Sequence, residues 1–320
     1  MIEKEVYHKR KEGKIMSKVV VLGSINVDFT TQVNVFPKAG ETVRGEHFKV
    51  TAGGKGANQA VACAKMGAEV AMIGKVGEDS YSSFLIDQLK DAGVNTKHVL
   101  KEGISGRTFI NVDANGENTI TYVPGANEML TENEIEAMDE LLDEAAFLVL
   151  QQEISPDMLK FVLKKVRSKK CQVLLNAAPS QAMEEDYLSF VDTLVVNEVE
   201  LAYLLNQAVS ENTHEINKEL DVLLAKGVQK IIVTLGSKGS LFKNRDHFFE
   251  TPAYKVKAID TTGAGDTFIG AYVSCKAQGK TDREAINFAT AASACTVTKA
   301  GAQDAIPTEA RVKQFLSNKR

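Results

Sequence analysis

The stretch Asp260-Thr261-Thr262-Gly263-Ala264-Gly265-Asp266-Thr267-Phe268-Ile269-Gly270, near the C-terminal end, decides the fold. A short apolar run, Val256 to Ile259 broken by Lys257, leads in, and a helical pattern of Phe268, Ala271, Tyr272 and Cys275 leads out. The reading is strand, glycine turn, helix. Such a turn leaves the N–H groups of Gly263, Ala264 and Gly265 free at a helix N-terminus, where unpaired donors and the helix dipole favour an anion. Asp266 is the odd residue, a carboxylate where an anion would otherwise be welcome. Taken alone it reads as a helix cap. Beside a second glycine site upstream, it reads as the group that receives a proton from an attacking hydroxyl in phosphoryl transfer.

That second site is Ala52-Gly53-Gly54-Lys55-Gly56-Ala57-Asn58-Gln59-Ala60, which opens a small-residue helix stopped at Gly67. Three glycines in four positions suggest close backbone approach to a ligand. No Ser or Thr follows the lysine, so this is not a P-loop, and Gln59 stands where a dinucleotide fingerprint would need its third glycine. Upstream, Lys18 to Leu22 is apolar enough for a central parallel strand. It ends in Gly23-Ser24-Ile25-Asn26-Val27-Asp28, where Asn26 and Asp28, two apart, point the same way from extended chain. That is the edge at which open α/β sheets bind ligands.

From Phe29 to Thr51 short strands alternate with turn residues, and a second such stretch runs from Thr108 to Val123 around the hairpin signal Asn115-Gly116. Neither fits the surrounding rhythm. They read as a small β lid of about residues 29–51 and 108–123, set on an α/β domain of residues 18–320 and preceded by a charged, flexible extension over residues 1–17. Elsewhere strands (69–73, 147–150, 172–175, 194–196, 230–234) alternate with helices (81–91, 131–143, 156–169, 198–205, 218–225, 282–297, 311–316). The expected fold is α/β, a mainly parallel sheet with helices on both faces. Glu153, Asn197, Glu200 and the run Thr234 to Gly239 fall just past strands, on the same ligand edge.

A chain of 320 residues with 44% apolar and 25% charged residues suits one large soluble domain. The net charge of −4, with no basic block, argues against nucleic-acid and membrane-surface partners. The four cysteines form no C-x-x-C pair and read as buried thiols. No apolar run reaches membrane-spanning length and no apolar leader follows the N-terminus, so the expected location is cytoplasmic.

Gly-Ser-x-Asn-x-Asp at 23–28, Gly-Gly-Lys-Gly-Ala-Asn-Gln-Ala at 53–60 and Asp-Thr-Thr-Gly-Ala-Gly-Asp-Thr-Phe at 260–268 together resemble the signatures of the ribokinase-like (PfkB) sugar kinase family, in the right order. The similarity runs from about Lys18 to Pro307. It implies ATP-dependent phosphorylation of D-ribose at O5. Asn26, Asp28, Gly54, Lys55, Asn58, Glu153 and Asp266 would hold the sugar, with Asp266 also the base and Gly263, Ala264 and Gly265 the anion hole. Asn197, Thr234, Gly236, Gly239, Gly265 and Thr290 would contact ATP, and Glu200 would act on Mg²⁺ through water. A K⁺ ion would sit beside the anion hole, with ligands drawn from Asp260, Thr262, Thr296, Lys299, Gly301 and Ala305, some by backbone. A homodimer through the β lid is also implied. Two positions depart from the family pattern: Thr290 stands where Asn is common near the adenine, and Ala305 where a serine hydroxyl often helps hold the cation. Related kinases of deoxyribose, fructose or a nucleoside remain open as alternatives, as does a non-catalytic sugar sensor on the same fold.

Overall fold

The computed structural model describes residues 10–11, 14–15, 18–182, 184–210 and 212–319. Most of the N-terminal extension expected over residues 1–17 lies outside them; within it, Arg10–Lys11 pairs antiparallel with Lys14–Ile15.

The sequence pattern builds a nine-stranded sheet. Its order is Phe248–Pro252, Gly239–Asn244, Lys230–Thr234, Thr193–Asn197, Gln172–Asn176, Phe147–Gln151, Lys18–Leu22, Glu69–Val76 and Asn95–Lys101. The strands from Lys230–Thr234 to Asn95–Lys101 run parallel; Gly239–Asn244 runs against them, pairing antiparallel with Lys230–Thr234 and with the edge strand Phe248–Pro252. Side chains alternate between two cores. Val20 and Leu22 pack with Leu159 and Val162 on one face, while Val19 and Val21 pack with Ala60, Val61 and Ala271 on the other. Burial on both faces is what selects near-continuous apolar strands here.

From Lys18–Leu22 the chain first adds Glu69–Val76 on one side, then returns to place Phe147–Gln151 on the other. The order therefore reverses between Lys18–Leu22 and Phe147–Gln151, and a crevice opens beyond their C-terminal ends. Gly23 to Asn26 and Gln151 to Glu153 leave the sheet there.

A separate four-stranded sheet has the order Gly45–Gly53, Asn26–Val33, Gly106–Val112 and Asn118–Val123. Its hairpin turns at Asp113 to Glu117, with Gly116 at φ 84°. The α/β fold with a small second sheet expected from the sequence is thus the fold observed.

Several elements differ from expectation. Val256–Ile259 is not a strand: Val256 lines a cavity, Ile259 is exposed, and the Ile259 N–H donates to the carbonyl of Val297 at 2.7 Å. The helix expected over residues 131–143 is two, Glu132–Glu136 and Asp139–Glu144, although its Thr131/Glu134 capping box forms. The break falls at Ala137 and Met138, where Met138 N bonds three residues back to Ile135 and its side chain joins the core. The helix expected to start at Lys218 starts at Thr213, capped by Asn212.

Candidate active site

Two helices begin at the crevice. Lys55–Lys65 follows Gly54, and Ala264–Ala277 follows Gly263, whose φ of 73° is left-handed backbone suited to glycine. The upstream glycines serve chain packing: a Cβ on Gly54 would lie 2.8 Å from Asn26 N, so the helix start seats directly on the segment leaving the first strand. This seating brings Asn58 and Gln59 against Asp266.

Asp266 is buried, and both its oxygens are engaged. Asn58 Nδ2 donates to Oδ2 at 3.0 Å and Gln59 Nε2 donates to Oδ1 at 2.9 Å. Around it, two buried acceptors, Asp28 Oδ1 and Asn58 Oδ1, have no protein partner. Buried polar atoms are nearly always paired, so these oxygens are ready to accept from hydroxyl groups of a ligand. Burial, with Glu153 and Asp266 nearby and against the pull of the Thr108 hydroxyl, pushes the Asp28 carboxyl up to about 7.

Asn26 is fixed by a residue that the sequence did not flag. Its Oδ1 accepts from Asn127 Nδ2 at 2.6 Å, and Asn127 Oδ1 accepts from Ile25 N at 2.9 Å. Asn26 thus has Nδ2 left to offer, 3.5 Å from Thr108 Oγ1. Glu153 accepts through Oε2 from Ser24 Oγ and from Lys55 N at 3.1 Å, so it caps the helix at Lys55 and keeps Oε1 for a ligand. Burial opposes the charge of Lys55, but the carboxylates of Asp266, Glu153 and Glu200 outweigh it and raise its pKa.

Asn197 and Glu200 bond each other. Asn197 Oδ1 accepts from Glu200 N, and Glu200 Oε2 accepts from Asn197 N, both at 2.8 Å. The Asn-x-x-Glu spacing is thus a capping box that leaves Glu200 Oε1 available. Burial raises the Glu200 pKa, against the Asn197 N–H and Lys55.

Beyond Asp266 lies a cavity of about 440 Å³ lined by Thr234, Gly236, Gly239, Gly265 and Thr290 among others. Tyr254, Val256, Phe268 and Val297 make much of its wall apolar, which suits a flat heterocycle. Asn197 is not part of this wall. Thr290 donates its hydroxyl to the carbonyl of Ile286 at 2.8 Å, so it meets the cavity as an apolar surface.

The glycine turn differs in one respect from expectation. Ala264 N donates to the carbonyl of Thr261 at 3.2 Å and is not free. No protein acceptor meets Gly263 N or Gly265 N among the described residues, and the space beside Gly265 is open. Asp260 ties this turn to the loop after the helix Asp282–Thr296, accepting from Thr262 N at 2.9 Å and Gly301 N at 2.8 Å. Burial works against its charge, but these donors hold its carboxyl below the ordinary value. Ala302 packs against Gly263, so residues 301–305 flank the turn. The Thr296 hydroxyl donates to the carbonyl of Ala292 at 3.1 Å and lies 3.0 Å from Thr267 Oγ1, and Lys299 Nζ, itself a cation, donates to the carbonyl of Asp304 at 2.6 Å, so Lys299 could serve a cation only through its backbone oxygen. Among the described residues no cluster of three His, Cys, Asp or Glu side chains is placed to hold a metal, and no helix is long and apolar enough to cross a membrane.

A buried carboxylate between unpaired hydroxyl acceptors and a heterocycle-sized cavity, at a helix N-terminus with free amides, defines a carbohydrate kinase. The chain belongs to the pfkB family of carbohydrate kinases, whose family model matches residues 16–309. It is 35% identical to ribokinase of Haemophilus influenzae over 94% of this chain and 98% of that one. It is 37% identical to deoxyribokinase of Salmonella typhi over 93% and 98%. The structure of Arabidopsis thaliana ribokinase complexed with ribose and ATP superposes with a TM-score of 0.86 at 30% identity, covering 94% of this chain and 98% of that one.

Proposed function

We propose that this kinase transfers the γ-phosphoryl group of ATP to O5 of D-ribose. The observation that carries the reading is the pair of orphaned acceptors, Asp28 Oδ1 and Asn58 Oδ1, beside a carboxylate fixed at a helix N-terminus. Asp28, Asn58, Asn26 Nδ2, Glu153 Oε1 and the Gly54 turn would hold the sugar. Asp266 accepts the proton of the attacking hydroxyl, and the amides of Gly263 and Gly265 meet the charge developing on the transferred group. Thr234, Gly236, Gly239 and Thr290 would flank the nucleotide, and Lys55 would lie between the two substrates. Mg²⁺ takes one or two carboxylates plus phosphate oxygens and water, a role that Glu200 Oε1 fits; it would neutralise phosphate charge.

Deoxyribose is the second reading, because a deoxyribokinase is as similar to the chain as ribokinases are. The orphaned acceptors favour the fully hydroxylated sugar, since a site built to bond a hydroxyl rejects an analogue lacking it. Comparing kcat/KM for D-ribose, 2-deoxyribose, fructose and adenosine tests this. Ribose should lead, and preference for another compound removes the ribose assignment. A sugar sensor would need no Asp266, and turnover of any sugar rules it out.

We also infer a monovalent cation at the Asp260–Gly301 junction. One carboxylate and main-chain oxygens are a donor set that suits a singly charged ion, and Ala305 contributes no hydroxyl to it. Activity should be higher in K⁺ than in Na⁺ or Tris alone, though with weak dependence, and equal rates would contradict the site. A homodimer through the small sheet is supported by exposed Phe48, Phe109 and Ile120, which a second copy would cover. Sedimentation velocity decides it, a monomer at assay concentration being the contrary result.

The raised Asp28 carboxyl gives a pH dependence. Its ordinary value of 3.8 and folded value of about 7 mean that the folded state binds the extra proton between them, so this group makes stability fall as pH rises from about 4 to 7. The ionised form is the better acceptor for hydroxyls. The sugar KM should therefore fall as pH rises through about 7, and Asp28→Asn should flatten that dependence. A KM that ignores pH in the parent enzyme sinks the argument.

A further inference from the structure

Behind Asp266 lies a chain of side-chain amides that the reaction described above does not use. Gln59 Nε2 donates both to Asp266 Oδ1 at 2.9 Å and to Asn176 Oδ1 at 3.1 Å. Gln59 Oε1 accepts from Gln151 Nε2 at 2.7 Å, and Asn176 Nδ2 donates to the carbonyl of Val195 at 3.2 Å. Gln59, Gln151 and Asn176 are all buried. Gln151 and Asn176 sit at paired positions at the ends of adjacent parallel strands, so the central sheet itself sets their spacing.

The direction of this chain is fixed at its far end. The Val195 carbonyl can only accept, so it draws Asn176 Nδ2 toward itself and leaves Asn176 Oδ1 facing Gln59. That oxygen and the Gln151 donor allow Gln59 one orientation. Both Gln59 N–H bonds are then spent, one on Asn176 and one on Asp266. Gln151 leaves its own Oε1 buried without a partner, a cost retained while its donor serves Gln59.

We propose that Gln59 is a positioning residue for Asp266, held by Gln151 and Asn176 so that the carboxylate keeps one rotation before substrate arrives. Gln59 holds Oδ1 and Asn58 holds Oδ2, and the lone pair left facing the sugar hydroxyl is thereby set. This inference rests on Asp266 being the base, and the experiment separates the two.

The test compares kcat, sugar KM and Tm for the parent enzyme, Gln59→Met, Gln151→Met, Asp266→Ala and the Asp266→Ala/Gln59→Met double variant. Methionine keeps the volume and removes the donor. Gln59→Met should lower kcat about ten- to a hundredfold, the scale of a misplaced reacting group, with sugar KM held within about threefold. Gln151→Met should lower kcat by less, again with sugar KM held, and it carries the test should Gln59→Met not fold. Added to Asp266→Ala, Gln59→Met should cost nothing further. An unmoved kcat, or an equal loss in both backgrounds, overturns the positioning role. An Asp266→Ala enzyme as fast as the parent removes the base reading itself, and the proposal with it.

Discussion

Asp266→Ala should lower kcat by about two to four orders of magnitude, the contribution typical of a positioned proton acceptor. The sugar KM should change much less, because Asp28, Asn26 and Glu153 would still hold the other hydroxyls. The substitution also removes the acceptor of Asn58 Nδ2 and of one N–H of Gln59 Nε2, whose other N–H stays on Asn176, in a buried place, which costs about 1–3 kcal/mol for each unpaired donor. A measured Tm therefore belongs beside the kinetics, so that lost chemistry is not confused with lost fold. Asp266→Asn is the informative companion. It keeps the shape but brings an NH₂ group against one of two donors, and it cannot take the proton. Both variants should be slow at saturating substrate, and a folded Asp266→Asn enzyme with parental kcat contradicts the role assigned to the carboxylate.

Gly270→Ala should destabilise the protein by about 1–3 kcal/mol, the cost of overfilling a packed contact, and should lower kcat as well. In an ordinary helix interior the same change is favourable by about 0.5–1 kcal/mol, so the sign itself is diagnostic. The added methyl would stand 2.3 Å from Ala62 Cβ and 2.7 Å from Cys63 N. Gly270 lies one turn after Asp266, and Ala62 lies one turn after Asn58. The Gly270–Ala62 contact is therefore one turn beyond the Asn58–Asp266 hydrogen bond, on the same faces of the same two helices. Forcing the helices apart at the first opens the second. Thermal unfolding and steady-state kinetics read the two effects, and a variant with unchanged or raised Tm contradicts this packing argument.

How much of this was legible in the sequence depended on how local the cause is. Lys18–Leu22 and Lys230–Thr234 are readable to the residue because apolar runs buried on both faces sit between turn residues. The antiparallel strands Gly239–Asn244 and Phe248–Pro252 were not, since Lys243, Arg245, Asp246 and Glu250 interrupt the apolar signal. Val256 and Ile259 misled in the opposite sense, being apolar for a cavity and for solvent and not for a sheet. In the candidate site, Asp266, Asn58 and Asp28 stand out through the motifs that hold them. Asn127 carries no local mark, because its work is a contact across 101 residues to Asn26. Gln59 was visible as a member of the signature at 53–60 and as the residue that spoils a dinucleotide fingerprint, but with no role of its own; its bond to Asp266 depends on a helix packing that no spacing rule encodes. Asn197 and Glu200 show the converse, a motif whose every observed bond is a helix cap.

The most direct measurement of the central claim is phosphorus–proton NMR of the product formed from D-ribose and MgATP, with ADP release counted in the same sample. Phosphate on O5, formed in one-to-one ratio with ADP and absent from the Asp266→Ala reaction, is the expected result. Phosphate on another oxygen, or ADP released with inorganic phosphate and no sugar ester, would contradict the placement of ribose against Asp266.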